Sequence, residues 1–163
     1  MSDDQLKKRV WDSYIPEPFL SKAAKQRTLP LITKNSALLV IDLYNLVFEG
    51  GNRSISEDGF LDQYPATCGE KAYQAIEPTN QLIGVFRDKA LPIFFSTKDY
   101  ERSQKDGNAT LRPRKEPKVE DYNIFPEIDF RPTDTLIKKL RASMFFNTGL
   151  MDYLTRLDVE SLF

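Results

Sequence analysis

Residues 37–41, Ala-Leu-Leu-Val-Ile, form an unbroken apolar run that is closed at once by Asp42. A strand with one wet face alternates apolar and polar residues, whereas a strand covered on both faces does not. This short, partly β-branched run therefore predicts the central strand of a parallel sheet with helices on both sides. Parallel strands need long, usually helical, crossover connections. Open α/β sheets of this kind place their ligand-facing residues just beyond the carboxyl ends of the strands, which is where Asp42 stands. A chain of 163 residues suits one such domain with one core.

Residues 1–35 read as an N-terminal arm, polar and broken by Pro16, Pro18 and Pro30. Trp11, Tyr14, Ile15, Phe19 and Leu20 give it apolar anchors that suit its own domain and a neighbouring subunit equally well. Residues 36–163 read as the α/β domain. Tyr44 to Arg53, with Gly50-Gly51, predicts a loop, and the following helix is delayed until near Cys68. There Ala72, Ile76, Thr79, Ile83 and Phe86 recur at helical spacing, and Pro78 is expected to kink or divide the helix. Leu91 to Ser96 predicts the second buried strand. Residues 98–130, rich in Lys, Arg, Asp and Pro, form an excursion long enough for a lid or packing arm. Thr135-Leu136-Ile137 predicts a third strand. Thr148 caps a helix whose apolar face holds Leu150, Met151, Leu154 and Leu157. Val159 and Leu162-Phe163 turn β-like, so the fold is expected to be incomplete at its C-terminal side and finished by further polypeptide. A natural end in a short edge strand is the alternative.

The composition excludes much. Histidine is absent, which removes Ser-His-Asp and Cys-His pairs and any imidazole metal site from this chain. Scattered carboxylates can still hold Mg²⁺ or Ca²⁺, but no calcium-loop spacing is present. The formal net charge of −1 favours neither nucleic acid nor an acidic membrane surface as partner. No apolar run approaches the ~20 residues of a membrane span, and the start lacks the apolar segment of a secretory signal. The single cysteine, Cys68, fits a reducing compartment, so a cytoplasmic protein is expected.

A second chemistry-bearing stretch runs from Asp134 to Leu150, with Lys139 at the end of a β-like segment and Ser143 four positions later. Together with Leu39-Val40-Ile41-Asp42-Leu43-Tyr44-Asn45 it resembles the isochorismatase-like cysteine hydrolases, especially the N-carbamoylsarcosine amidase-like branch. The first family motif has a form like Ile-Asp-Met-Gln-Asn-Asp-Phe. Asp42 and Asn45 match it, and Tyr44 replaces the glutamine. The second motif has a lysine, then Ser-Ala-Phe, then a threonine and a leucine. Lys139, Ser143, Phe145, Thr148 and Leu150 match, and Met144 replaces the alanine. The resemblance spans roughly residues 30–163. The family's third motif, Gly-x-x-Thr-x-x-Cys-Val, is expected after the strand that starts near Leu162 and is not among these residues.

The resemblance implies a Rossmann-like three-layer α/β/α fold with a mostly parallel sheet. It also implies hydrolysis of a C–N bond in a small amide or carbamoyl compound. In the family a cysteine thiolate attacks the carbon, an aspartate takes up the thiol proton, and a lysine stabilises the charged site. Asp42 and Lys139 inherit the last two roles, and the thiolate would come from outside this chain, from a C-terminal companion segment. Some members hold a metal through an aspartate and histidines. Without histidine that arrangement does not carry over, so no metal or other cofactor is expected. The family commonly associates, so a homo-oligomer is expected.

Several residues have a plainer reading beside the functional one. Asp42 suits a strand-end cap and Lys139, beside Lys138 and Arg141, a surface charge; the paired motifs favour catalysis. Ser143 and Thr148 read as loop or capping hydroxyls. Cys68 reads as a packing residue or as lining an approach to the site, not as the nucleophile. Tyr44, Asn45, Phe48, Thr97 and Tyr100 are expected near the substrate pocket, with core packing equally suited to Phe48. Arg102, Arg112 and Arg114 suit either a substrate carboxylate or a solvated charge run. The reading from a different class is a non-catalytic assembly or binding protein that keeps a hydrolase fold.

Overall fold

The structure is a computed structural model. It describes residues 35–106 and 118–163, together with Tyr14, Pro16, Pro18 and Phe19. The chain divides into Met1–Leu31 and Ile32–Phe163. In the first unit the Phe19 N–H bonds the Pro16 carbonyl at 2.9 Å, while Trp11, Ile15 and Leu20 lie outside the described residues.

The second unit holds a four-stranded parallel sheet in the order β3-β2-β1-β4, built from β1 (Ser36–Ile41), β2 (Ile93–Lys98), β3 (Thr135–Lys139) and β4 (Ser161–Leu162). The chain steps outward from β1 to β2 and β3, then returns to the other side of β1, so β1 is interior and the strand order reverses there. Among the described residues its helices are α1 (Phe60–Gln63), α2 (Glu70–Asp88), α3 (Tyr100–Asp106) and α4 (Leu150–Arg156).

The uniform apolarity of β1 has the expected cause. Leu38 and Val40 pack with Ile83 and Phe86 of α2 and with Ile93 and Phe95 of β2 on one face. Ala37 packs with Phe94, Ile137, Met144, Leu150 and Leu154 on the other. Two buried faces make the three layers, and each fully buried aromatic or aliphatic side chain contributes about 1.5–3 kcal/mol.

Four local expectations change. Pro78 does not divide the helix: α2 runs unbroken from Glu70 to Asp88. Proline removes one N–H bond to the carbonyl four residues back, and Gln74 and Pro78 are both exposed, so water can satisfy that carbonyl. β2 starts two residues late because Pro92 has no N–H to give the ladder; its carbonyl instead accepts from Leu38 N at 3.0 Å. Only Leu150 and Leu154 of α4 are buried, while Met151 and Leu157 are exposed, since a helix of 7 residues presents little more than one i, i+4 pair to the sheet. Finally, the loop after β1 contains a 3₁₀ turn at Asn45–Phe48. Of the 98–130 excursion, α3 and a 3₁₀ turn at Val119–Tyr122 are described; residues 107–117, including Arg112 and Arg114, lie outside the described residues.

Candidate active site

Asp42 and Lys139 meet although 97 residues separate them, with Lys139 Nζ 2.8 Å from Asp42 Oδ2. β2 lies between their strands. At about 4.8 Å per strand spacing, their backbones stand roughly 10 Å apart, a gap that a long, flexible lysine can cross.

The backbone at Asp42 sets up the contact. In a regular strand its side chain would follow Leu38 and Val40 onto the α2 face. Asp42 instead adopts a left-handed conformation, φ 62°, which aspartate tolerates better than most residues. The turn brings its carboxylate to the face shared by Ser96, Ile137 and Lys139. There Ser96 Oγ donates to Asp42 Oδ1 at 2.9 Å and accepts the Asp42 N–H at 3.2 Å.

Lys139 is buried while Asp42 remains about one-third exposed. The ammonium also donates to the Ala142 carbonyl at 2.8 Å, so the loop after β3 closes over it. Among the described residues each Asp42 oxygen thus has one donor. An ionised carboxylate has about four lone-pair sites, which leaves room on its exposed side for an incoming proton donor.

The loop after β1 is tied to residues 120–125. Asn45 N donates to the Asn123 carbonyl at 2.9 Å and Asn45 Nδ2 to the Glu120 carbonyl at 2.8 Å. Phe125 N reaches the Leu43 carbonyl at 2.9 Å, and Tyr44 bridges Ile124. Tyr122 becomes the hub: Tyr44 meets its ring edge-on at 5.4 Å and Tyr100 stacks at 5.8 Å. Lys98 Nζ lies 5.1 Å from the same ring, and Thr97 Oγ1 donates to the Tyr122 carbonyl. A cleft of about 260 Å³ opens here, lined by Thr97, Lys98, Tyr100, Tyr122 and Lys138 among others. Neither Asp42 nor Lys139 is among its lining residues.

Phe48 is not at this cleft; it is buried and stacks on Phe125 at 3.8 Å between ring centroids. Cys68 is exposed, and its N–H joins the Val47 carbonyl at 2.8 Å just ahead of α2. Arg102 sits on α3, its N–H bonded to Asp99 Oδ1. Ser143 Oγ accepts from Phe145 N, and Thr148 Oγ1 accepts from Leu150 N; the N-cap of α4 is Gly149, without a side-chain cap bond, and not Thr148. Among the described residues no group of three or more Asp, Glu or Cys side chains converges to hold a metal ion. The aspartate-and-histidine metal arrangement does not fit this chain. Sequence pattern does not single out Ser96 or Tyr122; for Ser96 the available signal is a polar residue ending the apolar run Ile93-Phe94-Phe95.

The family model for the isochorismatase domain matches residues 36–163. The chain belongs to the isochorismatase family. Its isochorismatase domain is similar to an isochorismatase family protein from Burkholderia thailandensis (TM-score 0.61, 21% identity, 83% of this chain and 65% of that one). It is similar to an N-carbamoylsarcosine amidase from Thermoplasma acidophilum (TM-score 0.52, 19% identity, 78% and 65%). A cysteine hydrolase from Pseudomonas syringae pv. phaseolicola is a third such structure (TM-score 0.57, 15% identity, 83% and 62%). At these identities the three structures carry the α/β fold alone. The isochorismatase domain described here spans less than two-thirds of the length of each. No curated protein sequence matches the chain. No helix among the described residues is long and apolar enough to cross a membrane.

Proposed function

We propose that this chain is part of a cysteine hydrolase acting on the C–N bond of a small amide or carbamoyl compound, with the thiolate supplied from outside residues 1–163. The observation that carries the reading is the ion pair of buried Lys139 with partly exposed Asp42 at the carboxyl edge of the sheet. Asp42 accepts the thiol proton through its exposed side. Lys139, held beside it, favours the negative charge that thiolate formation and attack develop. A companion polypeptide carrying the cysteine would join next to β1 and β4, where the strand order reverses and open α/β sheets bind their ligands. A cytoplasmic homo-oligomer without nucleic-acid or membrane partners belongs to the same reading.

The test is hydrolysis of carbamoyl compounds and small amides by this chain alone and together with a companion segment carrying the cysteine motif. Turnover in the assembly that falls at least ~10²-fold with Asp42→Asn or Lys139→Ala supports the proposal. Wild-type turnover in those variants would overturn it. The exposed apolar side chains of Phe145, Phe146, Met151 and Leu157 favour a second reading, a non-catalytic assembly or binding protein on the same fold. Intact-mass analysis of the native material distinguishes them: a sole folded species of 18.8 kDa supports the second, and a cysteine-bearing companion or heavier parent supports the first.

A further inference from the structure

Ser96 is completely buried within β2, directly between the strands that carry Asp42 and Lys139. Its register partners are Ile41 on one side and Ile137 on the other, so it lies under the line joining the carboxylate to the ammonium. We propose that Ser96 is a positioning residue that sets the Asp42 carboxylate for its reaction, through one hydroxyl that grips both the backbone and the side chain of Asp42.

The inference follows from donor and acceptor capacity. A serine hydroxyl has one hydrogen to give and lone pairs to receive. Ser96 gives its hydrogen to Oδ1 and receives the Asp42 N–H. With no solvent exposure, no water competes for the oxygen. The grip matters because Asp42 has left the strand conformation at φ 62°, and its N–H is held by the Ser96 hydroxyl. Two bonds to one fixed atom lock the left-handed backbone and the side-chain rotation together. They also assign the oxygens: Oδ1 is held by Ser96, and Oδ2 is left to Lys139. Size is the second requirement. A large side chain at position 96 would occupy the space over β2 through which Lys139 reaches Asp42.

The catalytic consequence rests on the hydrolase reading, whereas the positioning itself is testable on this chain alone. Ser96→Ala removes the hydroxyl, and Ser96→Val and Ser96→Thr compare two similar volumes with and without it. In amide hydrogen exchange, Ala and Val should lower protection at Asp42 about fivefold to tenfold, the worth of one hydrogen bond, with Val40 unchanged. In the same variants the Lys139 ammonium protons should exchange faster by NMR, and Thr should keep wild-type behaviour. Should Thr not fold, the comparison of Ala with wild type decides alone. Unchanged Asp42 protection and Lys139 exchange in Ser96→Ala would overturn the proposal. In the assembled enzyme, Ala and Val should lower kcat about 10–100-fold, as misplacement of a catalytic group does, while KM stays within about twofold. Altered exchange in Ser96→Ala, with no turnover in the wild-type assembly, supports the positioning and counts instead against the hydrolase reading.

Discussion

An ammonium as enclosed as that of Lys139 must replace its lost water with other oxygens, or its burial costs several kcal/mol. Asp42 and the Ala142 carbonyl are those oxygens, and the dependence is unequal. Removing Asp42 strands a cation inside the protein, whereas removing Lys139 leaves a carboxylate that still reaches water and still holds Ser96. Asp42→Ala is therefore expected to lower stability by about 3 kcal/mol or more, and Lys139→Met by about 1–2 kcal/mol. Urea denaturation of both variants checks the order, and a larger loss in Lys139→Met would contradict this account. The two ionic members were legible in the sequence because each ends a β-like segment inside a recognisable motif. Ser96 and Tyr122 were not, because their roles depend on which strand lies between which. Strand order and register are set by long-range pairing that local periodicity does not encode.

At the scale of elements, α2 is held at both ends by contacts that sequence pattern alone does not reveal. At its start the Arg53 carbonyl accepts from Glu70 N at 2.7 Å, in place of a side-chain cap. This approach needs Gly69, which has φ +52° and whose added Cβ would lie 2.5 Å from that same carbonyl oxygen. Gly69→Ala should cost roughly 1–3 kcal/mol, visible as a lower Tm; an unchanged Tm would show that the loop yields.

At its end Arg87 forks onto Asp134, both contacts at 2.8 Å, and also reaches Asp129. Burial pushes the Asp134 carboxyl up, but the Arg87 guanidinium and the Arg131 N–H outweigh it and hold the carboxyl below its ordinary value. A depressed carboxyl stabilises the fold fully above its unfolded pKa of about 3.9. That contribution fades as pH falls through the lower folded value. Asp134→Asn should therefore cost roughly 1.5–3 kcal/mol at pH 7, and the gap to wild type should narrow only below about pH 4. A gap that closes between pH 7 and 5 would contradict the assignment. The helix itself was readable from its spacing; the anchors were not, since a carbonyl cap and a cross-element ion pair leave no periodic trace.

Over the whole molecule, the sheet has different covers on its two sides. Phe145, Met151, Leu154 and Leu162, with Asp158 and Glu160 among the other lining residues, face a groove of about 350 Å³ between α4 and β4, and Phe146, Leu157 and Phe163 are also exposed. Exposed apolar surface of this kind favours association, so light scattering at micromolar concentrations should show a species heavier than the monomer; a stable monomer would count against it. If a cysteine-bearing companion pairs beyond β4, it should raise Tm and confer activity together, since one docking event would bury the groove and complete the site. The layer architecture and parallel sheet were legible because β1 is apolar on both faces. The short β4 was harder to delimit, since a pair of ladder residues carries almost no pattern.

The reach of Lys139 across β2 also has a kinetic meaning. The ion pair joins residues 97 positions apart, and it cannot close until β1, β2 and β3 have all found their registers. Contacts so distant along the chain pay their loop-closure entropy before they return any energy, and chains dominated by them fold slowly. The bridge is thus a late event on the folding route. It is also an early one to come undone, because among the described residues β3 pairs on only one side, and peeling it away releases the lysine while β1 and β2 remain paired. The lifetime of the assembled site is set by the fraying of one edge strand, and it can be far shorter than the lifetime of the fold.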